Sequence, residues 1–556
     1  MTSMLYELQA ALFSAEVSRR DLLDIPPSER GRPVSINVWR NHAFEAILPL
    51  MAPFSAIRAW HGEFNLGAYD DTLIFNGWRP ADIELLWLDS SRFALAPDFP
   101  AWLEWLRSRL SVLRAMSRAP IIVATWLPDI AMRDALAAMT DTCPATYFAD
   151  LEAACTDQDI PLVDPRVAKI SGSPISNRAQ AHLARELACR WIPAALFPPI
   201  KAVALDLDNT LHAGIVGEDG IDGVRLTDGH VRLQNQLKNL REHGVFIALV
   251  SRNEYRDVEA LFAQRLDYPL RWDDFSAIEV AWGDKADAIG RIAEHLRIST
   301  DAMLFVDDNL GELNSVALKW PQLHTLYADT DADATWRAIS WWPGLWRWKV
   351  ESDDTKRVQD LQANRDREAL AHQTDDIGDY FRMLQARLTY RIDPSDQLSR
   401  LADLCAKTNQ FNLAIRRLNQ AELADRFVGK DTCVMSVQLS DRLSDSGVIA
   451  LVAATRKGSD LIVEELCVSC RAMGRRLEND IVLTALGNMP IFPGCEKVVF
   501  SVQHGPRNKP ALEWLTQLSG KQAAQGLHSV PATVVANFAP TDGVELTIEG
   551  IGNNEP

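Results

Sequence analysis

Residues 201–210 read Lys-Ala-Val-Ala-Leu-Asp-Leu-Asp-Asn-Thr: four apolar residues run straight into two aspartates, Asp206 and Asp208, spaced by one leucine. Ala202–Leu205 shows no polar alternation, the pattern expected of a strand covered by helices on both faces. In an open α/β sheet the carboxyl ends of the strands form the ligand crevice. Two carboxylates at such an end can each direct an oxygen into it and share a divalent cation, and Mg²⁺ favours one or two carboxylates with phosphate oxygens. Later segments repeat the rhythm. Gly244–Val250 reads as a strand ending at Ser251, Met303–Val306 as a strand ending at Asp307-Asp308, and Lys285 opens a helical run. Helical periodicity over Val231–His243, Tyr255–Arg265 and Lys285–Leu296 separates the strands, which predicts a doubly wound parallel sheet. Ser251 offers a hydroxyl to a phosphoryl oxygen, Lys285 a fixed cation, and Asp307-Asp308 further metal oxygens. Phosphoryl transfer needs this set: an in-line nucleophile, positive charge on the equatorial oxygens and a proton donor for the leaving group.

The rest of the chain bounds the answer. Its 556 residues suggest three or four domains. Lys and Arg number 57 against 75 Asp and Glu, a net charge of −18, so the cationic footprint of a nucleic-acid binder is missing. No run approaches the length of a membrane span. The first twenty residues read as an amphipathic helix and not as a secretory leader. The expectation is a cytoplasmic protein whose eight cysteines are reduced thiols. Cys467 and Cys470 form a C-x-x-C inside the strand-like run Leu461–Cys470. An offset of three places them on opposite faces, so packing is expected rather than a shared metal or disulfide. From about Ser35 to Arg190, strands such as Ile83–Leu88 and Pro120–Trp126 alternate with helices such as Trp102–Ala115. Trp336, Trp341, Trp342, Trp346 and Trp348 crowd into thirteen residues and read as a plug at a domain interface. Asp353–Ala371 reads as a charged helical spacer. Beyond Leu388, three consecutive strands (Cys433–Leu439, Val448–Thr455, Leu461–Cys470) precede a helix, the strand Lys497–Val502 and the helix Pro510–Leu518.

Asp206, Asp208, Thr210, Ser251, Lys285 and Asp307-Asp308 resemble the four motifs of the haloacid-dehalogenase (HAD) phosphotransferases. The stretches 201–220, 305–312, 407–417 and 470–478 look like the FkbH-like branch, subfamily IIIC. That resemblance implies three folded parts: an SGNH-hydrolase-like α/β domain at 1–195, a HAD-like phosphatase domain at 196–345, and, after a helical linker at 346–387, a GNAT-like α+β acyltransferase domain at 388–540. The expected fold class is therefore multidomain α/β. By the same resemblance Asp206 is the nucleophile and Asp208 the general acid and base, while Ser251 and Lys285 orient and neutralise the phosphoryl group. Asp206, the main-chain carbonyl of Asp208, and Asp307 bind Mg²⁺, and Thr210, Arg252, Asn253 and Asp308 contact substrate.

The branch is associated with loading a glyceryl unit from 1,3-bisphosphoglycerate onto an acyl carrier protein for polyketide-type biosynthesis. A phosphorylated small molecule and a carrier protein bearing phosphopantetheine are then the partners, with no nucleic acid or membrane involved. Two other readings stand beside it: a stand-alone phosphatase of a biosynthetic intermediate, and a non-catalytic carrier-docking protein. This chain departs from the branch at Leu207, where some members have cysteine, and at His212-Ala213, where Trp-Gly is common. Arg471-Ala-Met-Gly474-Arg475-Arg476 resembles a GNAT pyrophosphate loop with Arg476 in the place of a small residue. A glycine turn at a helix start suits a phosphate, so Arg471, Gly474, Arg475, Arg476 and the later Asn508 are the expected pantetheine-phosphate contacts. The N-terminal part has no Gly-Asp-Ser nucleophile. Asn41 and His42 read there as turn and cap residues, and that part reads as a docking module.

Overall fold

The computed structural model describes residues 2–26, 31–93, 98–167, 173–349, 352–371, 373–374 and 376–550. The fold is multidomain α/β, built on two parallel sheets and one mixed sheet. The chain divides into two compact units. One comprises Met1–Leu240, Ile247–Ile292 and Thr300–Lys349, the other Arg241–Phe246, Ala293–Ser299 and Val350–Pro556. Among the described residues no helix is long and apolar enough to cross a membrane.

The first unit carries both parallel sheets. Strands β1 (Arg32–Arg40), β2 (Trp60–Tyr69), β3 (Ile83–Trp87), β4 (Ile121–Thr125) and β5 (Thr146–Asp150) order as β2-β1-β3-β4-β5, every neighbouring pair parallel. β3 and β4 are buried at every position, as strands covered on both faces must be. Asp98, Asp129 and Asp150 cap the helices that follow, each accepting a main-chain N–H of the first turn. Asn41 and His42 are not caps. Asn41 latches the end of β1 to the end of β3 by bonding both the N–H and the carbonyl of Asp89, and His42 Nδ1 lies 3.0 Å from Ser173 Oγ.

The second sheet comprises β6 (Ala202–Leu205), β7 (Phe246–Ser251), β8 (Ala277–Val280), β9 (Met303–Asp307) and β10 (His324–Tyr327), in the order β10-β9-β6-β7-β8. The chain winds from β6 outward to β8 and then returns to the other side of β6. The reversal falls between β6 and β9, and their carboxyl ends flank the crevice it creates. β6, β7 and β9 are buried throughout.

The tryptophan run fills the seam between these two sheets. Trp341 lies under the guanidinium groups of Arg185 and Arg190, 4.0 and 3.6 Å from its ring centre. The fully buried Arg185 contact is of the desolvated kind worth about 2 kcal/mol, and the partly exposed Arg190 contributes less. Trp348 stacks on Tyr147 at 5.0 Å, and Trp342 meets Phe13 and His324. Gly344 lets the chain pass: its φ is +97° and a Cβ there would lie 1.9 Å from Arg58 Nη1, whose guanidinium also holds the Pro343 carbonyl.

The second unit is built on a mixed sheet of β11 (Arg387–Ile392), β12 (Phe411–Asn412), β13 (Thr432–Ser440), β14 (Asp445–Lys457), β15 (Asp460–Val468), β16 (Lys497–Val502), β17 (Gly526–Pro531) and β18 (Glu545–Glu549). The order is β17-β16-β15-β14-β13-β11-β18. β15 pairs with β16 only over Asp460–Val463. Past that point the strands part, and β12 takes up the edge of β15 at Cys467 and Val468. The helix Ser352–Ala371 is not the spacer its charge suggested. Asp360 and Arg367 are 1% and 3% exposed, and they join Asp441 and Arg475 in a buried ionic cluster. Ser444 and Ser446 supply the remaining hydrogen bonds to Asp360.

Candidate active site

Asp206 continues β6, its N–H bonded to the Val306 carbonyl at 2.9 Å. Asp307 ends β9, and Lys285 opens the helix Lys285–His295. The Lys285 ammonium lies 2.8 Å from Asp206 Oδ1 and 2.7 Å from Asp307 Oδ2, so one cation bridges two strand ends. All three side chains are under a tenth exposed. Burial pushes the Asp206 carboxyl up, Lys285 pulls it back and Asp307 pushes it further. Burial also raises Asp307 against the pull of Lys285. For Lys285 burial acts downward, but the two carboxylates outweigh it and hold the ammonium above its ordinary range. Asp308, raised by burial, completes a cluster in which Asp206, Asp307 and Asp308 bring carboxylate oxygens within 4.8 Å of one another. Three hard oxygen donors at the sheet's reversal point suit Mg²⁺.

Asp208 stands apart from that cluster and is held by its own donors. Its Oδ1 accepts the Val216 N–H at 3.0 Å and faces His212 Nε2 at 3.3 Å, and its Oδ2 accepts from Asn253 Nδ2 at 2.7 Å. Burial acts to raise this carboxyl, but the three donors prevail and keep it below the usual carboxylate range. Asn253 also donates to Ser251 Oγ at 3.0 Å, so it ties the acid to the β7 terminus. Ser251 and Lys285 line a small hollow with Gly283, Asp284 and Arg291. Asn209 adopts the left-handed conformation (φ +53°), and its side chain accepts from the Gly214 N–H, which closes the turn after the acid pair.

The remaining expected residues divide. Thr210 is buried, and among the described residues its hydroxyl has no partner. Arg252 is exposed and pairs with Glu312 at 2.7 Å and the Gly283 carbonyl at 3.2 Å, which directs it along the surface. In the second unit the expected phosphate loop is largely spent on its own structure. Arg475 is turned inward onto Asp360 at 2.9 Å, and Gly474 gives its N–H to Glu478 at 3.1 Å. Asn508 is fully buried, donating to the Asn412 and Gln503 carbonyls and accepting from Gly505. Arg471 is buried and Arg476 exposed. Of the five, Arg475 and Asn508 are therefore corrected to structural residues: a buried guanidinium beside two aspartates is already neutralised, and both N–H groups of the Asn508 amide are already given to main-chain carbonyls.

Sequence reasoning missed His212 as a partner of Asp208. The signal was available, since positions four apart share a helical face, but the segment around Thr210 reads as a turn. The strand-end positions of Asp206 and Asp307 and the helix start at Lys285 place the three in one site, but the direct pairing of Lys285 with both carboxylates joins three separate segments and is visible only in the fold.

No protein-family model matches the chain, and no curated protein matches its sequence. Among solved structures, the N-terminal part of the protein BF1531 from Bacteroides fragilis, containing a phosphatase domain complexed with Mg, aligns at a TM-score of 0.46. It is 17% identical and covers 61% of this chain and 99% of its own. An uncharacterized protein from Corynebacterium glutamicum aligns at a TM-score of 0.19 with 14% identity over 28% of this chain and 98% of its own. A GCN5-related glucosamine N-acetyltransferase region of a fungal multi-domain GH3 β-N-acetylglucosaminidase aligns at 0.16 with 10% identity over 90% and 65%.

Proposed function

We propose that the chain is a Mg²⁺-dependent phosphoryl-transfer enzyme of the HAD type. The observation that carries the reading is the Asp206–Lys285–Asp307 bridge at the reversal point of the second sheet, with Asp208 held separately two residues on. The Asp206, Asp307 and Asp308 carboxylates and the Asp208 main-chain carbonyl would hold the cation. When bound, Mg²⁺ supplies charge stabilisation to the phosphoryl oxygens. Asp206 attacks phosphorus, and the bond to the ester oxygen breaks as Asp208 gives that oxygen its proton. Water then attacks the aspartyl phosphate, Asp208 takes a proton from it, and inorganic phosphate leaves with Asp206 restored. Lys285 and Ser251 hold the transferring group. Asp208 rests ionised among its donors, and the charge of a bound phosphate ester raises it toward the protonated form that the first step needs.

Within that chemistry we favour the FkbH-like assignment. The substrate is then 1,3-bisphosphoglycerate, whose acyl carbon is taken by the pantetheine thiol of an acyl carrier protein. The acyl–phosphate bond breaks, the thiol proton passes to the departing phosphate, and the remaining phosphate ester is cleaved at Asp206. A SGNH-like N-terminal docking module and a GNAT-like C-terminal acyltransferase module would serve the carrier. Leu207, fully buried beside the acid pair, favours a second reading, a phosphatase of a small-molecule intermediate, because it leaves no thiol there to hold an acyl group. Incubation with Mg²⁺, 1,3-bisphosphoglycerate and holo carrier protein separates the two. A glyceryl mass gain on the carrier supports the first, and phosphate release with an unchanged carrier mass supports the second. Undiminished phosphate release in excess EDTA overturns both.

A further inference from the structure

A second cluster of ligating side chains lies in the other unit, in the hydrophobic layer between the mixed sheet and the helix Leu398–Lys407. Glu465 and Cys467 are two residues apart on β15 and so share a face. That face looks onto Cys405 in the last turn of the helix. The Cys405 and Cys467 sulfurs and a Glu465 oxygen all lie within 4.8 Å of one another, and each residue is 0% exposed. Around them are Leu401, Leu404, Leu418, Leu423, Val434 and Leu451.

A carboxyl is placed in such surroundings only at a cost, unless a charge or strong donors compensate it. The bonds made to Glu465 come from neutral groups, the Arg417 main-chain N–H at 2.6 Å on Oε2, the Cys467 thiol at 3.4 Å on Oε1 and the Asn412 side chain, and the Arg417 charge offsets only part of the cost of burial. The Arg417 guanidinium is occupied with the Ala406 carbonyl and Asn409. Asn412 Nδ2 donates to Cys467 Sγ at 3.2 Å, while its Oδ1 accepts the Ile415 N–H at 2.7 Å. Both potential ligands on β15 thus have an outer hydrogen bond that fixes their direction, the arrangement that orients ligands in metal centres. Zinc–sulfur bonds of about 2.3 Å and zinc–oxygen bonds of about 2.1 Å in a tetrahedron separate donors by roughly 3.5 Å, close to the 3.4 Å found between Cys467 Sγ and Glu465 Oε1.

We propose that Cys405, Glu465 and Cys467 form a binding site for a thiophilic divalent cation of the zinc class, distinct from the carboxylate cluster around Asp206. The ion ties the helix Leu398–Lys407 to β15 beside the point where β16 departs and β12 takes its place. Thiolate ligation selects against Mg²⁺, which keeps to oxygen donors. The cation-free alternative is a pair of reduced thiols beside a carboxyl, and oxidation would turn that pair into a disulfide.

The test uses the full chain, reduced, stripped of metal and kept in excess Mg²⁺ so that the carboxylate cluster is filled. One equivalent of Co²⁺ should produce a thiolate-to-metal charge-transfer band in the near ultraviolet. Cys405→Ser and Cys467→Ser should each lose it, while Cys470→Ser, outside the cluster, should keep it. Zinc added in the same way should show two sulfur neighbours at about 2.3 Å by X-ray absorption, a reading on the unsubstituted chain that holds even where a cysteine variant does not fold. No band and no sulfur neighbours in the unsubstituted chain overturns the proposal, as does a band that survives both serine substitutions. A Cys405–Cys467 disulfide that forms in air in the presence of added Zn²⁺, read as a loss of two hydrogens in intact mass, also overturns it.

Discussion

The end of β6 and the end of β15 make an instructive pair. Each is a buried strand that runs into a polar turn, and each carries charged residues that read as a phosphate site. At β6 the charges come from two strand ends and a helix start, and they face one another across the crevice of a parallel sheet. Lys285 is shared by two carboxylates, and Asp208 is held aside by neutral donors and His212. At β15 the corresponding cation, Arg475, folds back under its own turn and is neutralised by Asp360 and Asp441, while Glu478 takes the Gly474 N–H. Similar sequence grammar thus yields a site facing the crevice in one place and a strut in the other. Partners from elsewhere in the chain make the difference: Asp307 arrives at the rim of a crevice, and Asp360 arrives inside a core.

Four substitutions test this contrast, taken from the largest expected effect downward. Asp206→Asn should abolish the covalent phosphoenzyme and drop phosphate release from p-nitrophenyl phosphate below detection, with circular dichroism unchanged. A phosphoenzyme that persists in this variant would show that the nucleophile lies elsewhere. Asp208→Asn removes the proton donor and should lower turnover by about 10²–10⁴-fold while the chain still takes up Mg²⁺, as read by isothermal titration.

In the second unit the effect should move from turnover to stability. Asp360→Asn leaves Arg367 and Arg475 buried with less charge opposite them, which should cost about 3–5 kcal/mol in urea denaturation of that unit. Burial acts to raise Asp360, and Arg475 and Arg367 outweigh it, so its folded-state value lies below the ordinary one. Its contribution is therefore complete above the unfolded carboxylate range and is lost as pH falls through the lower folded value. The unsubstituted unit should lose stability on acidification at the low end of the carboxylate range, and Asp360→Asn should flatten that loss. If the two denature alike at every pH, the strut reading of Arg475 fails. The smallest effect is expected at the exposed Arg476. Arg476→Ala should leave denaturation unchanged and, on the carrier-loading reading proposed above, reduce transfer by only a few-fold, which distinguishes the outward arginine from its inward neighbour.

Much of the active-site sheet was legible because strand and helix periods are local. Ala202–Leu205 and Met303–Val306 are apolar at every position, and the strands begin there. The helices at 255–264 and 285–295 were bounded to within a residue by their spacing. β12 was not legible, since two residues have no period. Asn41 and His42 do lie in a bend after β1, but they cap no helix; their partners Asp89 and Ser173 lie far along the chain and leave no local signal. The packing role of the helix Ser352–Ala371 is not legible in sequence, because a buried ion pair looks like a solvated one there.

The sequence alone set the order of strands and helices, the acid pair at the end of β6, and a net negative charge that speaks against nucleic-acid binding. Those properties follow from side-chain period and composition, which act over a few residues at a time. Only the tertiary structure decided which charges meet. Lys285 reaches both Asp206 and Asp307 because the sheet reverses between β6 and β9. Arg475 turns inward because Asp360 is buried against the same sheet. Cys467 faces Cys405 and not Cys470, because the first pair spans strand and helix while the second straddles the end of the strand. A charge or thiol finds its energy minimum through the partner it meets across the fold, and that partner is fixed by how layers pack.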